Sequence, residues 1–141
     1  MTPEDIAPEF RSSAKSYPKA APIEGVRTLK LARITDDRGF FLEIFRAKSN
    51  HAGGRELADF FSGVDVAQMN FSIVDASDHI KGLHYHLKQD DVWFFPPPSK
   101  AKVVLYDVRK DSPSFGRTQA IVAGGGQDVL IGVGPDRKSV V

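Results

Sequence analysis

The sequence contains no cysteine. That removes disulfides, thiol nucleophiles and thiolate metal ligands from consideration, and it frees the fold from any need for an oxidising compartment. No apolar run reaches membrane-spanning length. The start, Met1-Thr2-Pro3-Glu4-Asp5-Ile6, lacks the basic and then apolar regions of a secretion signal, so a cytoplasmic location is expected. An excess of charge of one sign is missing too. Lys and Arg number 19 against 18 Asp and Glu, a formal net charge of +1, which gives no case for a general nucleic-acid or membrane-surface binder. What remains is a chain of 141 residues, 41% hydrophobic and 26% charged, which is the make-up of one globular domain long enough to bury a core.

Residues 1–25 read as an arm, because Pro3, Pro8, Pro18 and Pro22 interrupt any periodic apolar pattern. A single domain is expected over 26–141. Apolar and polar residues roughly alternate over 26–31, and Asp36-Asp37-Arg38-Gly39 forms a turn into a strand over 40–45. The one plausible helix falls within 47–63, centred on Arg55-Glu56-Leu57-Ala58-Asp59-Phe60-Phe61. The clearest alternation follows: Gln68, Asn70 and Ser72 share one face, and Ala67, Met69, Phe71 and Ile73 the other. Further strands fit 80–87, 92–95, 102–108, 118–123 and 129–133, ended by Pro96-Pro97-Pro98 and Ser112-Pro113-Ser114. Many short strands at regular spacing with hardly a helix indicate a mainly β fold, a sandwich or barrel.

Three neutral polar side chains on one strand face fit either solvent or the hydrogen-bonding wall of a ligand cavity. The apolar opposite face, which also needs burial, favours the cavity. His84 and His86 stand two apart, so a strand points both the same way with Tyr85 opposite. Two chemistries compete for them. Metal ligation would need a third ligand, which Asp90 or Asp91 could supply; general-base work needs one imidazole titrating near the working pH and an orienting partner. Arg38 beside the turn glycine could fork a phosphate, and Lys81, Lys88, Lys100 and Lys102 add positive charge near the histidines. Trp93-Phe94-Phe95 is read as core, and Gly124-Gly125-Gly126 as a hairpin turn.

Four segments, in this order and spacing, resemble the dTDP-4-dehydrorhamnose 3,5-epimerase family: Asp36-Asp37-Arg38-Gly39-Phe40-Phe41-Leu42-Glu43, Gln68-Met69-Asn70-Phe71-Ser72, Lys81-Gly82-Leu83-His84-Tyr85-His86, and Asp107-Val108-Arg109-Lys110-Asp111-Ser112-Pro113-Ser114-Phe115-Gly116. The similarity spans roughly 26–131. It implies a cupin-type jelly roll in which His84 is the base that removes a proton beside a 4-keto group, at C3, at C5 or at both, of a dTDP-4-keto-6-deoxy sugar. Arg38, Phe41 and Glu43 would contact the nucleotide diphosphate. Gln68, Asn70, Ser72, Lys81 and His86 would complete the substrate site, with no cofactor or metal. It further implies a nucleotide-sugar substrate, a homodimer formed by exchange of N-terminal strands, and no nucleic-acid or membrane partner. Relative to the family pattern, Lys81 replaces an arginine, and Asp91 aligns near an active-site lysine. A tyrosine acid and the aspartate that orients the histidine belong to later elements that this sequence is expected to lack. Two other readings stand beside this one: a non-catalytic nucleotide-sugar-binding module of the same fold, and a metal-binding cupin using His84 and His86.

Overall fold

In the computed structural model the described residues are 22–48, 54–74 and 79–134, together with the backbone of Arg137–Val140. The chain order is β1 (Arg27–Lys30), β2 (Arg33–Asp36), β3 (Gly39–Leu42), α1 (Arg55–Phe60), β4 (Gly82–His84), β5 (Asp91–Phe94), β6 (Lys100–Asp107), β7 (Thr118–Gly124), β8 (Val129–Val133) and β9 (Arg137–Val140). These strands make a three-stranded sheet in the order β1-β8-β5, a β2-β3 hairpin, and a four-stranded sheet in the order β4-β9-β6-β7. Every strand pairing is antiparallel. The mainly β jelly-roll expectation holds, and among the described residues it takes the form of packed sheets rather than a closed barrel.

The central strand β8 shows why the sheets stack. Its run Val129-Leu130-Ile131-Gly132-Val133 is apolar throughout, as a strand covered on both faces must be. Ile131 and Val133 point into a core shared with Val103 and Leu105 of β6, Ala123 of β7 and Ile23. Leu130 points the other way, into a second core with Leu31 and the helix residues Leu57, Phe60 and Phe61. Helix, three-stranded sheet and four-stranded sheet therefore form successive layers. Burying a side chain such as Leu105 or Ile131, both wholly inaccessible, contributes about 1.5–3 kcal/mol each.

The aromatic run on β5 divides in the same way. Trp93 and Phe95 pack on the first core, Val92 and Phe94 on the second, so the reading of these aromatics as core is borne out. Arg27 on β1 lies over the Phe60 ring, 5.0 Å from its centroid, and its guanidinium donates to the Phe60 carbonyl at 2.8 Å, closing the end of α1. The glycine run after β7 does turn the chain: Gly124 at φ 73° and Gly125 at φ 59° take the left-handed conformation that a side chain resists.

The structure departs from the sequence reading at several places, among them the strand expected over 40–45, which ends at Leu42. The segment 67–73, expected as a strand, forms none: among the described residues no strand pairs with it, and Met69, Phe71 and Ile73 are exposed. Alternation alone therefore did not secure a ladder, because a strand also needs a neighbouring backbone to bond with. Conversely, the polar C-terminal stretch Asp136-Arg137-Lys138-Ser139 is not among the expected strands, yet the backbone of Arg137–Val140 pairs with both β4 and β6. The expected strand over 80–87 shortens to Gly82–His84, with a shift of register between Gly82 and His84. Residues 1–21 of the expected arm lie outside the described residues, whereas Ile23 near its end is buried.

A buried knot fastens that end to the sheet. Asp107, at the end of β6, is fully buried and accepts hydrogen bonds from Ser114 Oγ at 2.6 Å, Ser112 Oγ at 2.7 Å, and the Arg109 guanidinium at 2.9 and 3.0 Å. Ser114 Oγ in turn accepts the Glu24 N–H at 2.9 Å, and Arg109 donates to the Glu24 carbonyl at 3.0 Å. Burial works to raise the Asp107 carboxyl pKa, but the bonds from Arg109, Ser114 and Ser112 outweigh it and hold the group well below the usual carboxylate range.

Candidate functional site

The residues singled out from the sequence lie on three exposed pieces of chain: the β2-β3 hairpin, the segment 66–74, and β4 with its exit. Hairpin register places Asp36 opposite Gly39 and leaves Asp37 and Arg38 as the two turn residues. Arg38 is bound there by Asp36, which accepts its backbone N–H at 2.9 Å and its guanidinium at 2.5 Å. That guanidinium lowers the Asp36 pKa. The Arg38 side chain is nonetheless 85% exposed. Phe41 on β3 is exposed. Glu43, just past the strand, is half-buried and bonded to Arg46 at 2.8 Å. These three are thus presented at the hairpin, with the two charged members already partnered locally.

The remaining residues come together in pairs. The Gln68 amide donates to Asn70 Oδ1 at 2.9 Å, so they share a side as the alternation predicts, even without a strand. The Lys81 ammonium donates to Ser72 Oγ, linking the polar segment to the residue before β4. The register shift after Gly82 breaks the simple alternation that would set Lys81 opposite His84.

His84 and His86 face one another edge to face, with ring centroids 5.7 Å apart. Across from them stands Asp91. His84 is the last residue of β4 and Asp91 the first of β5, so the link from one sheet to the other brings them together at the opening between the sheets. His86 Nε2 lies 3.5 Å from Asp91 Oδ2, and the Gln89 amide donates to Asp91 Oδ1 at 2.8 Å. The three side chains His84, His86 and Asp91 offer ligand atoms all within 4.8 Å of one another. Of the two aspartates the sequence offered as partners, this cluster contains Asp91. A separate open groove is lined by Glu24, Tyr85, Leu87, Arg109 and Ser112 among others. It holds Tyr85 but neither histidine, and Glu24, Arg109 and Ser112 of its lining belong to the Asp107 knot.

Such a cluster can exchange protons or hold an ion, and comparison with known proteins narrows the field. Residues 20–131 match the model of the dTDP-4-dehydrorhamnose 3,5-epimerase family. The chain belongs to this family. It is 39% identical over 112 residues to the spore coat polysaccharide biosynthesis protein SpsL of Bacillus subtilis, a match that covers 77% of this chain and 64% of SpsL. A dTDP-4-dehydrorhamnose 3,5-epimerase from Sulfolobus tokodaii superposes with a TM-score of 0.67 at 27% identity, covering 83% of this chain and 62% of that one. The rmlC epimerase of Mycobacterium tuberculosis gives 0.68 at 22% identity, covering 85% and 57%, a likeness of fold. The chain thus spans somewhat under two thirds of each of these relatives.

Family membership accounts for the four segments, but the knot at Asp107 is a structural role that the sequence reading did not assign. The signal was present: an aspartate followed at +2, +5 and +7 by Arg109, Ser112 and Ser114 has donors at the spacing of a turn folded back on one carboxylate.

Proposed function

We propose that the chain acts as an epimerase on a dTDP-4-keto-6-deoxy sugar, with His84 as the base. The observation carrying this reading is the position of His84: it ends β4 in the family's Gly82-Leu83-His84 segment, exposed at the opening between the sheets. There a sugar can reach it. The C–H bond beside the keto group breaks, its proton passes to the His84 imidazole, and its electrons move into the enolate. A proton from solvent adds to the other face of that carbon, re-forming the C–H bond and the ketone and inverting the centre.

Arg38, Phe41 and Glu43 serve the diphosphate and base in this scheme. Gln68, Asn70, Ser72, Lys81 and His86 hold the remainder of the substrate. Lys81 supplies a point charge rather than a guanidinium fork. Exposed Met69 and Phe71 are apolar surface of the kind a second copy of the chain covers in a homodimer; no helix among the described residues is long and apolar enough to cross a membrane.

The test is incubation with the dTDP-4-keto sugar in deuterated water. Deuterium enters at C3 or C5 with the natural chain and fails to enter with His84→Ala, while dTDP affinity is largely kept. No incorporation by the natural chain refutes catalysis. A second reading, a binding module without turnover, is favoured by one observation: the anionic Asp91 stands beside His86, near where the family carries a lysine to stabilise enolate charge. Binding of dTDP without deuterium incorporation identifies that case.

A further inference from the structure

We propose that His84, His86 and Asp91 constitute a binding site for a divalent transition-metal ion. The first observation is their spacing. Four-coordinate zinc, with bonds of about 2.0–2.1 Å, sets its ligand atoms roughly 3.3 Å apart. His86 Nε2 and Asp91 Oδ2, at 3.5 Å, already stand near that separation, and no ligand atom of the triad lies further than 4.8 Å from another. His84 is exposed at the end of β4, with its ring edge to face with that of His86.

The second observation is what holds Asp91. Its Oδ1 accepts the Gln89 amide at 2.8 Å, which leaves Oδ2 turned to the histidines. An outer hydrogen bond on the oxygen away from the ion is how ligating carboxylates are oriented. The third is where the ligands sit. His84 and Asp91 terminate strands in two different sheets, so the donors converge from separate, backbone-bonded elements.

The donor set selects the ion. Two imidazole nitrogens and one carboxylate oxygen suit zinc, iron, cobalt, nickel or copper, whereas magnesium and calcium prefer oxygen alone. Three protein ligands leave at least one position open to water or to an oxygen of a bound molecule. A surface His–Asp ion pair needs only His86 and Asp91; the metal site needs His84 as well, and that difference is what the experiment reads. Where His84 serves as a base, an ion on its imidazole blocks that role, so zinc binding and proton exchange exclude one another.

The full chain, purified without a histidine tag and stripped with chelator, is titrated with zinc chloride in a calorimeter. One ion binds per chain. His84→Ala and Asp91→Asn each weaken binding at least 100-fold, and Gln89→Ala about 10-fold, the lower end of the effect of losing an outer-shell bond. His79→Ala, outside the cluster, leaves it unchanged. Cobalt(II) gives a second readout through its visible absorption, present with the natural chain and absent with Asp91→Asn. Far-UV circular dichroism checks that every variant is folded. Absence of zinc binding by the natural chain, or affinity indifferent to His84→Ala or Asp91→Asn, overturns the proposal. The titration reads binding alone, so a chain that fails to incorporate deuterium can still bind zinc, and the two failures are distinguishable.

Discussion

Replacing Asp107 with alanine tests whether the knot, rather than the apolar sheets alone, secures the end of β6 and residues 22–25. The carboxylate is fully buried and takes five hydrogen bonds, from the Arg109 backbone N–H at 3.0 Å, the Arg109 guanidinium at 3.0 and 2.9 Å, and two serine hydroxyls at 2.7 and 2.6 Å. Removing one partner of a buried ion pair costs about 3–5 kcal/mol. The lower end applies here. The Arg109 side chain is 24% exposed and keeps the Glu24 carbonyl as an acceptor, and Ser112 and Ser114 keep one another at 3.0 Å. A loss of about 3 kcal/mol, with a urea slope of about 2 kcal/mol per molar, moves the unfolding midpoint down by about 1.5 M. Urea titration followed by Trp93 fluorescence measures it at pH 7. The pH dependence carries the sign. A carboxyl held below its unfolded value of about 3.9 stabilises fully above that pH, and its contribution is lost as the pH falls through the folded value. The stability gap between natural chain and Asp107→Asn is therefore constant from neutrality to about pH 5 and shrinks below about pH 4. A midpoint shift under about 0.5 M for Asp107→Ala, or a gap that does not close in acid, refutes the reasoning.

Arg33→Met removes both bonds to Asp128, at 2.6 and 2.7 Å, and strands a carboxylate that is 6% exposed; the melting temperature falls, and the deficit narrows in acid because Arg33 lowers the Asp128 pKa. Gly124→Ala puts a methyl 2.1 Å from the Ser99 carbonyl oxygen at a φ of 73°, so a loss above about 1 kcal/mol in urea unfolding is expected; Gly126→Ala, with open space at its Cβ, costs less. Gln68→Ala and Asn70→Ala, both on exposed chain, change unfolding free energy by no more than about 0.5 kcal/mol while weakening dTDP affinity in calorimetry.

Strands of the core were legible as continuous apolar runs. In 129–133 every residue is apolar, which marks a strand covered on both faces, and Trp93-Phe94-Phe95 reads the same way. The turn at Asp37-Arg38-Gly39 and the glycine run at 124–126 are chemistry of the local backbone, and both stand where the sequence puts them. Strand partnership was not legible. Arg137-Lys138-Ser139-Val140 has no pattern that distinguishes it from a polar tail, yet its backbone donors and acceptors complete two ladders, and hydrogen bonding of the main chain is blind to side-chain type. The alternating 67–73 is the reverse case, with side chains suited to a sheet and no neighbouring strand among the described residues.

The same distinction governs the site. Spacing placed His84 and His86 on one side and offered Asp90 or Asp91 as a partner, but only the crossing from β4 to β5 decides between two adjacent aspartates. Alternation along a strand sends neighbours to opposite faces. Asp91 shares the parity of Trp93 and Phe95, which point between the sheets, and so it faces the histidines at the opening of that same space. Whatever the histidines bind must therefore accommodate a carboxylate as well. A positively charged ion does so readily, whereas an enolate forming beside Asp91 is opposed by its charge unless Lys81 or Lys88 offsets it. The competition between base and metal ligand for His84 follows from this one parity. Asp91→Asn separates the two roles, because it removes the carboxylate charge from both: zinc affinity falls, and proton exchange, if His84 is the base, rises.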